Sequence, residues 1–178
     1  MKKFIVTLLS VLFLSAVSFG QGLGLNSITA KAGIIMPEDP WETGFQIGAK
    51  VDMGQLADNI HLVPFAEYWS SSYDFGSASL DLTNFKIGAA GHYMIPNVSG
   101  LYAGAGLSLN FLSVDVPGVT FFGTTTGGGS ASETEFGFNV LGGYKFPIGG
   151  MNGVVEAEYN LMDVGTFQLG VGVEFDMN

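Results

Sequence analysis

Cysteine is missing from this sequence, which excludes both a disulfide framework and a thiolate metal site. Arginine is missing too. Six lysines face sixteen acids, and no basic cluster is available to neutralise phosphates, so nucleic acid is excluded as a partner. Charged residues make up only 12% of the chain, about half the ~25% usual in a soluble domain, too few for an ordinary solvated surface. Beyond residue 20 there is no apolar run near the ~18 residues of a transmembrane helix, and no stretch sustains a 3.6-residue apolar period. The chain is instead rich in glycine and in aromatic residues, a composition that disfavours helices and suits strands and turns. Its 178 residues are enough for one domain with a buried interior.

The first twenty residues read as a secretory leader. Lys2 and Lys3 form a charged start, Phe4–Leu14 an apolar stretch, and Ser18-Phe19-Gly20 a small-residue site before Gln21. Removing residues 1–20 leaves 21–178 as a single domain, with four lysines against sixteen acids. An exported chain too apolar for water, yet without a spanning helix, fits a transmembrane β-barrel, where lipid-facing and lumen-facing residues alternate.

Eight segments have strand character: Asn26–Met36, Thr43–Met53, Ile60–Ser71, Leu82–Ile95, Leu101–Ser113, Glu135–Phe146, Gly153–Met162 and Thr166–Asp176. Most are close to the ~9–11 residues of a tilted membrane strand. The connections Met36–Glu42, Ser72–Asp81 and Val114–Thr134 are long, and Gly54–Asn59, Pro96–Gly100 and Pro147–Asn152 are short. With the N-terminus in the periplasm, the long ones fall outside, as in outer-membrane barrels; Asp163–Gly165 is a tight exception.

Parity sorts the residues of each strand. Phe45, Ile47, Ala49 and Val51 share one face of the second segment, and Leu107, Leu109 and Phe111 one face of the fifth. In the last segment Phe167, Leu169, Val171, Val173 and Phe175 alternate with Gln168, Gly170, Gly172, Glu174 and Asp176. The polar parity collects Lys31, Lys50, Asp52, Glu67, Lys86, Lys145, Glu156, Glu158 and Glu174. A soluble barrel would crowd its polar face with charge, to about 25–35%. Here that face is thin and lined with glycines such as Gly33, Gly88, Gly137 and Gly143, which suits the inside of a narrow eight-stranded barrel. Tyr68, Trp69, Tyr93, Tyr144, Phe146 and Phe175 lie near strand ends, where aromatic girdles meet lipid headgroups. The expected fold is all-β, an eight-stranded antiparallel up-and-down transmembrane barrel.

Leu101-Tyr102-Ala103-Gly104-Ala105-Gly106-Leu107 resembles the fifth-strand L-Y-x-G-x-G-L pattern of small OmpA/OmpX-like outer-membrane barrels. Gln168, Gly170, Val173 and Phe175 are similar, in order, to the C-terminal signal read by the barrel-assembly machinery in that family, although Asp176-Met177-Asn178 follow here. The resemblance implies residence in the bacterial outer membrane, assembly by that machinery, and contact with outer-membrane lipid and lipopolysaccharide. A monomer is expected.

The inward charges are the main candidates for a site. Counting through the connections sets Glu67 opposite Lys86 and Lys145 opposite Val154 or Glu156, and barrel closure brings Lys31 near Glu174. Mutual compensation in a narrow lumen is the first reading; a narrow pore for small solutes is the second, and a soluble lipocalin-like periplasmic ligand binder the third. His61 and His92 fall towards the periplasmic rim, whereas Ser70–Ser72 fall near the outer one, so no catalytic, cofactor or metal set is expected. Phe121 and Phe122, in the longest connection, are candidate contact residues for a partner surface. Acids without lysines gather in the outer connections, including Glu38, Asp39, Glu42, Asp81, Asp115, Glu133 and Asp163. An envelope-integrity or adhesion-like role is the function these features favour. If the last strand is both lipid-facing wall and assembly signal, Phe175→Asp will reduce the folded, heat-modifiable protein in outer-membrane extracts while export of the chain continues, as a gel-shift assay with total immunoblotting will measure.

Overall fold

The computed structural model describes residues 23–75, 78–116, 119–121, 124–126 and 128–177. The expected leader lies outside them. The described chain forms β1 (Leu23–Pro37), β2 (Gly44–Ala57), β3 (Ile60–Phe75), β4 (Ala78–Met94), β5 (Leu101–Val116), β6 (Val119–Phe121), β7 (Thr124–Thr126), β8 (Gly129–Ile148), β9 (Met151–Leu161) and β10 (Thr166–Asp176). Eight of these close one ring in the order β1, β10, β9, β8, β5, β4, β3, β2, while β6 and β7 make a separate two-stranded ladder. Every neighbouring pair in the ring is antiparallel. Closure comes from β1 against β10, with Ser27 opposite Asp176 at one end and Pro37 opposite Thr166 at the other.

Local sequence explains the turns. At Asp58-Asn59, between β2 and β3, Asn59 takes a φ of 60°, a left-handed conformation that asparagine tolerates better than most residues. Gly149 takes a φ of 64° in the β8–β9 turn. Pro64 stands inside β3, yet the β2–β3 ladder is interrupted between the Lys50–Phe65 and Gln55–His61 pairs. The missing proline N–H therefore falls beside a break in the ladder.

Two long connections are shorter than the sequence predicts. Ser72–Asp81 is almost wholly strand, with β3 and β4 paired from Ser72 opposite Asp81 up to Phe75 opposite Ala78. Likewise β5 and β8 stay paired up to Val116 opposite Gly129. Above the lipid both faces of a strand meet water, so the apolar alternation that marks a membrane strand fades while the ladder continues.

The wall is apolar outside and polar inside. Phe45, Phe136 and Val171 are 54%, 63% and 62% exposed, whereas Lys86, Asn84, Asn110, Asn139 and Asn160 are all at 0%. Two small apolar clusters bracket the polar middle of the lumen. Phe65, Ala90, Tyr102, Leu141 and Val154 lie towards the short turns. Ile35, Trp69, Leu82 and Leu112 lie towards the long connections, packed with Trp41, Val114 and Met162. Trp69 thus departs from its expected place in the outer girdle. It shares parity with Glu67, so its indole points inward and is completely buried, while Tyr68 faces out.

Glycines on the inner face make room for this filling. The Tyr102 ring and hydroxyl lie over Gly143, where a Cβ would overlap them, and the Asn110, Asn160 and Ser108 side chains crowd the same space at Gly137. By contrast, nothing lies within 4 Å of a Cβ built on Gly150. Gly143→Ala is expected to displace Tyr102 and cost about 1–3 kcal/mol as an overpacked core. Gly150→Ala should stay within ~0.5 kcal/mol. Urea unfolding of both variants in lipid vesicles measures the contrast.

Candidate functional site: the lumen and its charges

At mid-height the lumen holds three lysines and three glutamates in one connected network. Lys31 comes from β1, Lys50 from β2, Glu67 from β3, Lys86 from β4, and Glu156 and Glu158 from β9. Lys86 Nζ lies 2.6 Å from Glu67 Oε2 and 2.6 Å from Glu158 Oε1. Lys31 Nζ lies 2.5 Å from Glu67 Oε1 and 3.1 Å from Glu156 Oε1, and Lys50 Nζ lies 2.6 Å from the same Glu156 oxygen. All six side chains are buried and their formal charges cancel. Cancellation is required, because an unpaired ion here would have neither water nor a counter-ion to stabilise it.

Neutral groups extend the network in both directions. The Tyr102 hydroxyl donates to Glu156 Oε2 at 2.8 Å, and Asn139 Nδ2 donates to Glu158 Oε1 at 2.6 Å. Asn84 and Asn160 both donate to Asn110 Oδ1, at 2.9 and 3.3 Å, forming an amide layer. The Phe65 ring sits below two of the lysines, with the Lys86 and Lys50 ammonium groups 5.2 and 5.8 Å from its centroid.

Nearer the short turns are two separate pairs. Lys145 Nζ lies 2.5 Å from Glu174 Oε2, and His61 Nδ1 lies 2.8 Å from Asp52 Oδ2. Here the expected partnership of Lys31 with Glu174 does not form. The ladder sets Glu174 opposite Thr29, and Lys31 opposite Gly172, leaving the long lysine chain free to reach across the lumen to β3 and β9. Glu67 and Lys86 stand directly opposite each other, as do Lys145 and Val154. His92 stacks on Tyr102, with centroids 4.8 Å apart and planes 12° apart. Beside these groups lies a cavity of about 20 Å³, lined by Thr29, Asp52, His92, Tyr102, Lys145 and Glu174 among others. That is room for roughly one water centre.

Of the other candidate residues, Gln168 is buried in the lumen, Val173 is half-buried, and Phe175 is exposed on the outer face. Gly170 lies near the Gln46 amide. Phe122 is outside the described residues, and of Phe121 only the strand backbone is described. Among the described residues no group of His, Asp or Glu is placed to hold a metal ion. Reading the sequence for charge alone passes over Tyr102, Gln46 and the four asparagines. Their signal is present all the same, since every one lies on the same parity as the inward charges.

The sequence matches the family described as Autotransporter beta-domain over residues 39–166, from the β1–β2 connection to the start of β10. The chain belongs to that family. No curated protein matches by sequence. Among solved structures, Neisserial surface protein A matches with a TM-score of 0.59 at 18% identity, over 88% of this chain and 100% of that one. Ail, the attachment invasion locus protein of Yersinia pestis, solved with the heparin analogue sucrose octasulfate, matches with a TM-score of 0.54 at 15% identity, over 84% of this chain and 97% of that one. A major outer membrane protein from Thermus thermophilus gives 0.54 at 12% identity, over 86% and 100%. At such identities the likeness is one of fold. The fold is the expected OmpA/OmpX-like one: an eight-stranded antiparallel β-barrel of the kind these outer-membrane proteins share. Its apolar exterior and ionic interior are the reverse of a soluble lipocalin-like barrel, and that alternative is set aside.

The network makes a double-substitution test direct. Lys86→Met leaves Glu67 and Glu158 short of one cation and is expected to destabilise the barrel by about 3–5 kcal/mol. Adding Glu67→Gln removes the surplus anion and should recover more than half of that loss. Urea titration in vesicles, followed by tryptophan emission, gives both values.

Proposed function

We propose that this protein is an integral barrel of the bacterial outer membrane that works through contact at its surface, in envelope integrity or adhesion, and not through conduction or catalysis. Residues 1–20 serve as its cleaved leader and 21–178 as its barrel. Gln168, Gly170, Val173 and Phe175 serve as the signal for the assembly machinery, and lipid and lipopolysaccharide surround a monomer. The supporting observation is the filled lumen. The Lys31–Lys50–Lys86 network with Glu67, Glu156 and Glu158 spans its middle, and Trp69 with Ile35, Leu82 and Leu112 closes it towards the long connections. An eight-stranded interior has room for little beyond side chains.

The neighbours support the same reading in a general way. Ail is an attachment invasion locus protein, and its fold resembles this one. Catalysis finds no support: His61 is held by Asp52 and His92 by the Tyr102 ring, both towards the short turns, while Ser70–Ser72 lie in the upper half of β3. The competing reading is a narrow solute pore, which the small cavity beside Lys145 and Glu174 favours. It requires the six-charge network and the Trp69 cluster to part together. Planar-bilayer recording separates the two. A contact protein will leave the bilayer silent or give rare, small events, and large, stable, voltage-independent openings would sink it.

A further inference from the structure

The short-turn rim of the barrel is chemically two-sided. On one half, Asp58 sits in the β2–β3 turn and Asp176 ends β10, both exposed. On the other half, the β4–β5 turn reads Pro96-Asn97-Val98-Ser99-Gly100 and the β8–β9 turn Pro147-Ile148-Gly149-Gly150-Met151, with no charge in either. These two turns are neighbours, since Lys145 N–H on β8 donates to the Gly100 carbonyl at 2.8 Å. The Lys145 ammonium group itself points inward to Glu174.

The uncharged half nevertheless exposes large apolar side chains. Val98, Ile148 and Met151 are 45%, 49% and 39% exposed. Ile148 and Met151 continue the lipid-facing wall without a break. Tyr144, Phe146 and Ile148 share the outward parity of β8, and their ladder partners Val155, Gly153 and Met151 share that of β9. The Tyr144 and Phe146 rings stack with centroids 6.3 Å apart. Phe146 and Ile148 both lie over Gly153, where an added Cβ would overlap them. One apolar surface therefore runs from Tyr144 down to the tip of the hairpin.

Height separates this hairpin from the rest of the wall. Outward apolar residues run from Phe136 to Ile148 on β8, but only from Phe45 to Met53 on β2, Ile60 to Tyr68 on β3 and Phe167 to Phe175 on β10. At ~3.4 Å per residue and a tilt of ~40°, those spans are roughly 31 Å and roughly 21 Å. The apolar band of an outer-membrane barrel is about 25 Å tall. With Phe136 at its outer edge, the tip of β8 passes through the band and ends in the headgroup layer, which is roughly 5–7 Å thick on each face. The chemistry of the tip suits that layer. Asn97, Ser99, Gly149 and Gly150, all exposed, set uncharged polar groups beside the apolar ones. The four lysines of the barrel are held in the lumen, so none is left here to attract anionic headgroups.

We propose that the β4–β5 and β8–β9 turns form a foot in the inner leaflet, with Val98, Ile148 and Met151 inserted among zwitterionic phospholipids while Asp58 and Asp176 stand in water. The inference rests on the outer-membrane residence proposed above and adds a lipid-binding surface below the strand wall. Because the foot lies on one side only, it fixes the depth of the barrel and the direction in which it leans.

The chain has no cysteine, so a single nitroxide label can be placed at each chosen position. Val98→Cys, Ile148→Cys, Asp58→Cys and Val140→Cys are labelled in the full-length barrel in phosphatidylcholine nanodiscs, each checked for heat-modifiable migration. Power-saturation EPR then compares collisions with oxygen, which concentrates in lipid, and with a water-soluble nickel chelate. The oxygen-to-nickel ratio at Val98 and Ile148 should exceed that at Asp58 at least threefold. It should change less than twofold when a third of the lipid is made anionic. Gly150→Cys, where nothing lies within 4 Å of the added Cβ, replaces Ile148→Cys if that variant does not fold. Ratios at both turns equal to that at Asp58 overturn the foot. So does loss of collisions with both reagents, as burial against a second copy or another protein would give, and so does a high ratio that needs anionic lipid. Val140, on the outward face of β8 within the wall, keeps the two readings apart. A nickel-accessible Val140 refutes membrane residence, whereas a lipid-covered Val140 with nickel-accessible turns refutes the foot alone.

Discussion

A closed tube of eight strands surrounded by lipid can carry charge inside only if that charge cancels within reach. Lys31, Lys50 and Lys86 against Glu67, Glu156 and Glu158 meet this condition through contacts mostly between 2.5 and 3.1 Å. The rest of the molecule is arranged to permit it. Small residues keep the inner wall thin enough for long side chains to cross, Phe65 offers its ring to two ammonium groups, and Tyr102 and Asn139 satisfy remaining carboxylate lone pairs. Such a network contributes little net stability compared with a well-packed apolar filling. Its effect lies in what it forbids.

The cations come from β1, β2 and β4, while two of the three acids come from β9. Neutrality is therefore reached only when the last hairpin sits against the first strands. A one-residue slip of β9 would turn Glu156 and Glu158 towards lipid and leave Lys31, Lys50 and Lys86 with Glu67 alone. Apolar strands by themselves specify register weakly here, because lipid accepts Leu, Val or Phe at any height. The ionic contacts supply the discrimination that the lipid face lacks. Lys145 with Glu174 repeats the device between β8 and β10.

How much of this could be read from the sequence depends on which coordinate of the barrel is asked for. Inside or outside is a parity of two: seven of the nine charges sorted by alternation are buried, while Phe45, Leu107 and Phe175 on the other parity are exposed. Ladder neighbours follow from loop lengths, which is why Glu67 could be set opposite Lys86. Contacts across the lumen follow from neither. Lys31 has a side chain long enough to ignore its ladder partner Gly172, so its acids on β3 and β9 were out of reach of counting. Trp69 shows the converse error. Position near a strand end suggested a girdle residue, yet parity with Glu67 already pointed it inward, and parity was the stronger constraint. The tall hairpins escaped detection because water on both faces removes the periodic signal that marked their lower halves.

Charge segregation ties the lumen to the rim. Four lysines are all that the barrel sequence contains, and the lumen holds every one of them against Glu67, Glu156, Glu158 and Glu174. Nothing cationic is then left for the sheet above the lipid, where Asp74, Asp81, Asp115, Glu133 and Glu135 stand. An edge-to-edge approach of two such rims would bring acids together, which is unfavourable. A raised, one-sided, acidic sheet is thus the outward consequence of neutralising the interior with lysine alone. The ion network that fixes the barrel also decides what its surface can attract.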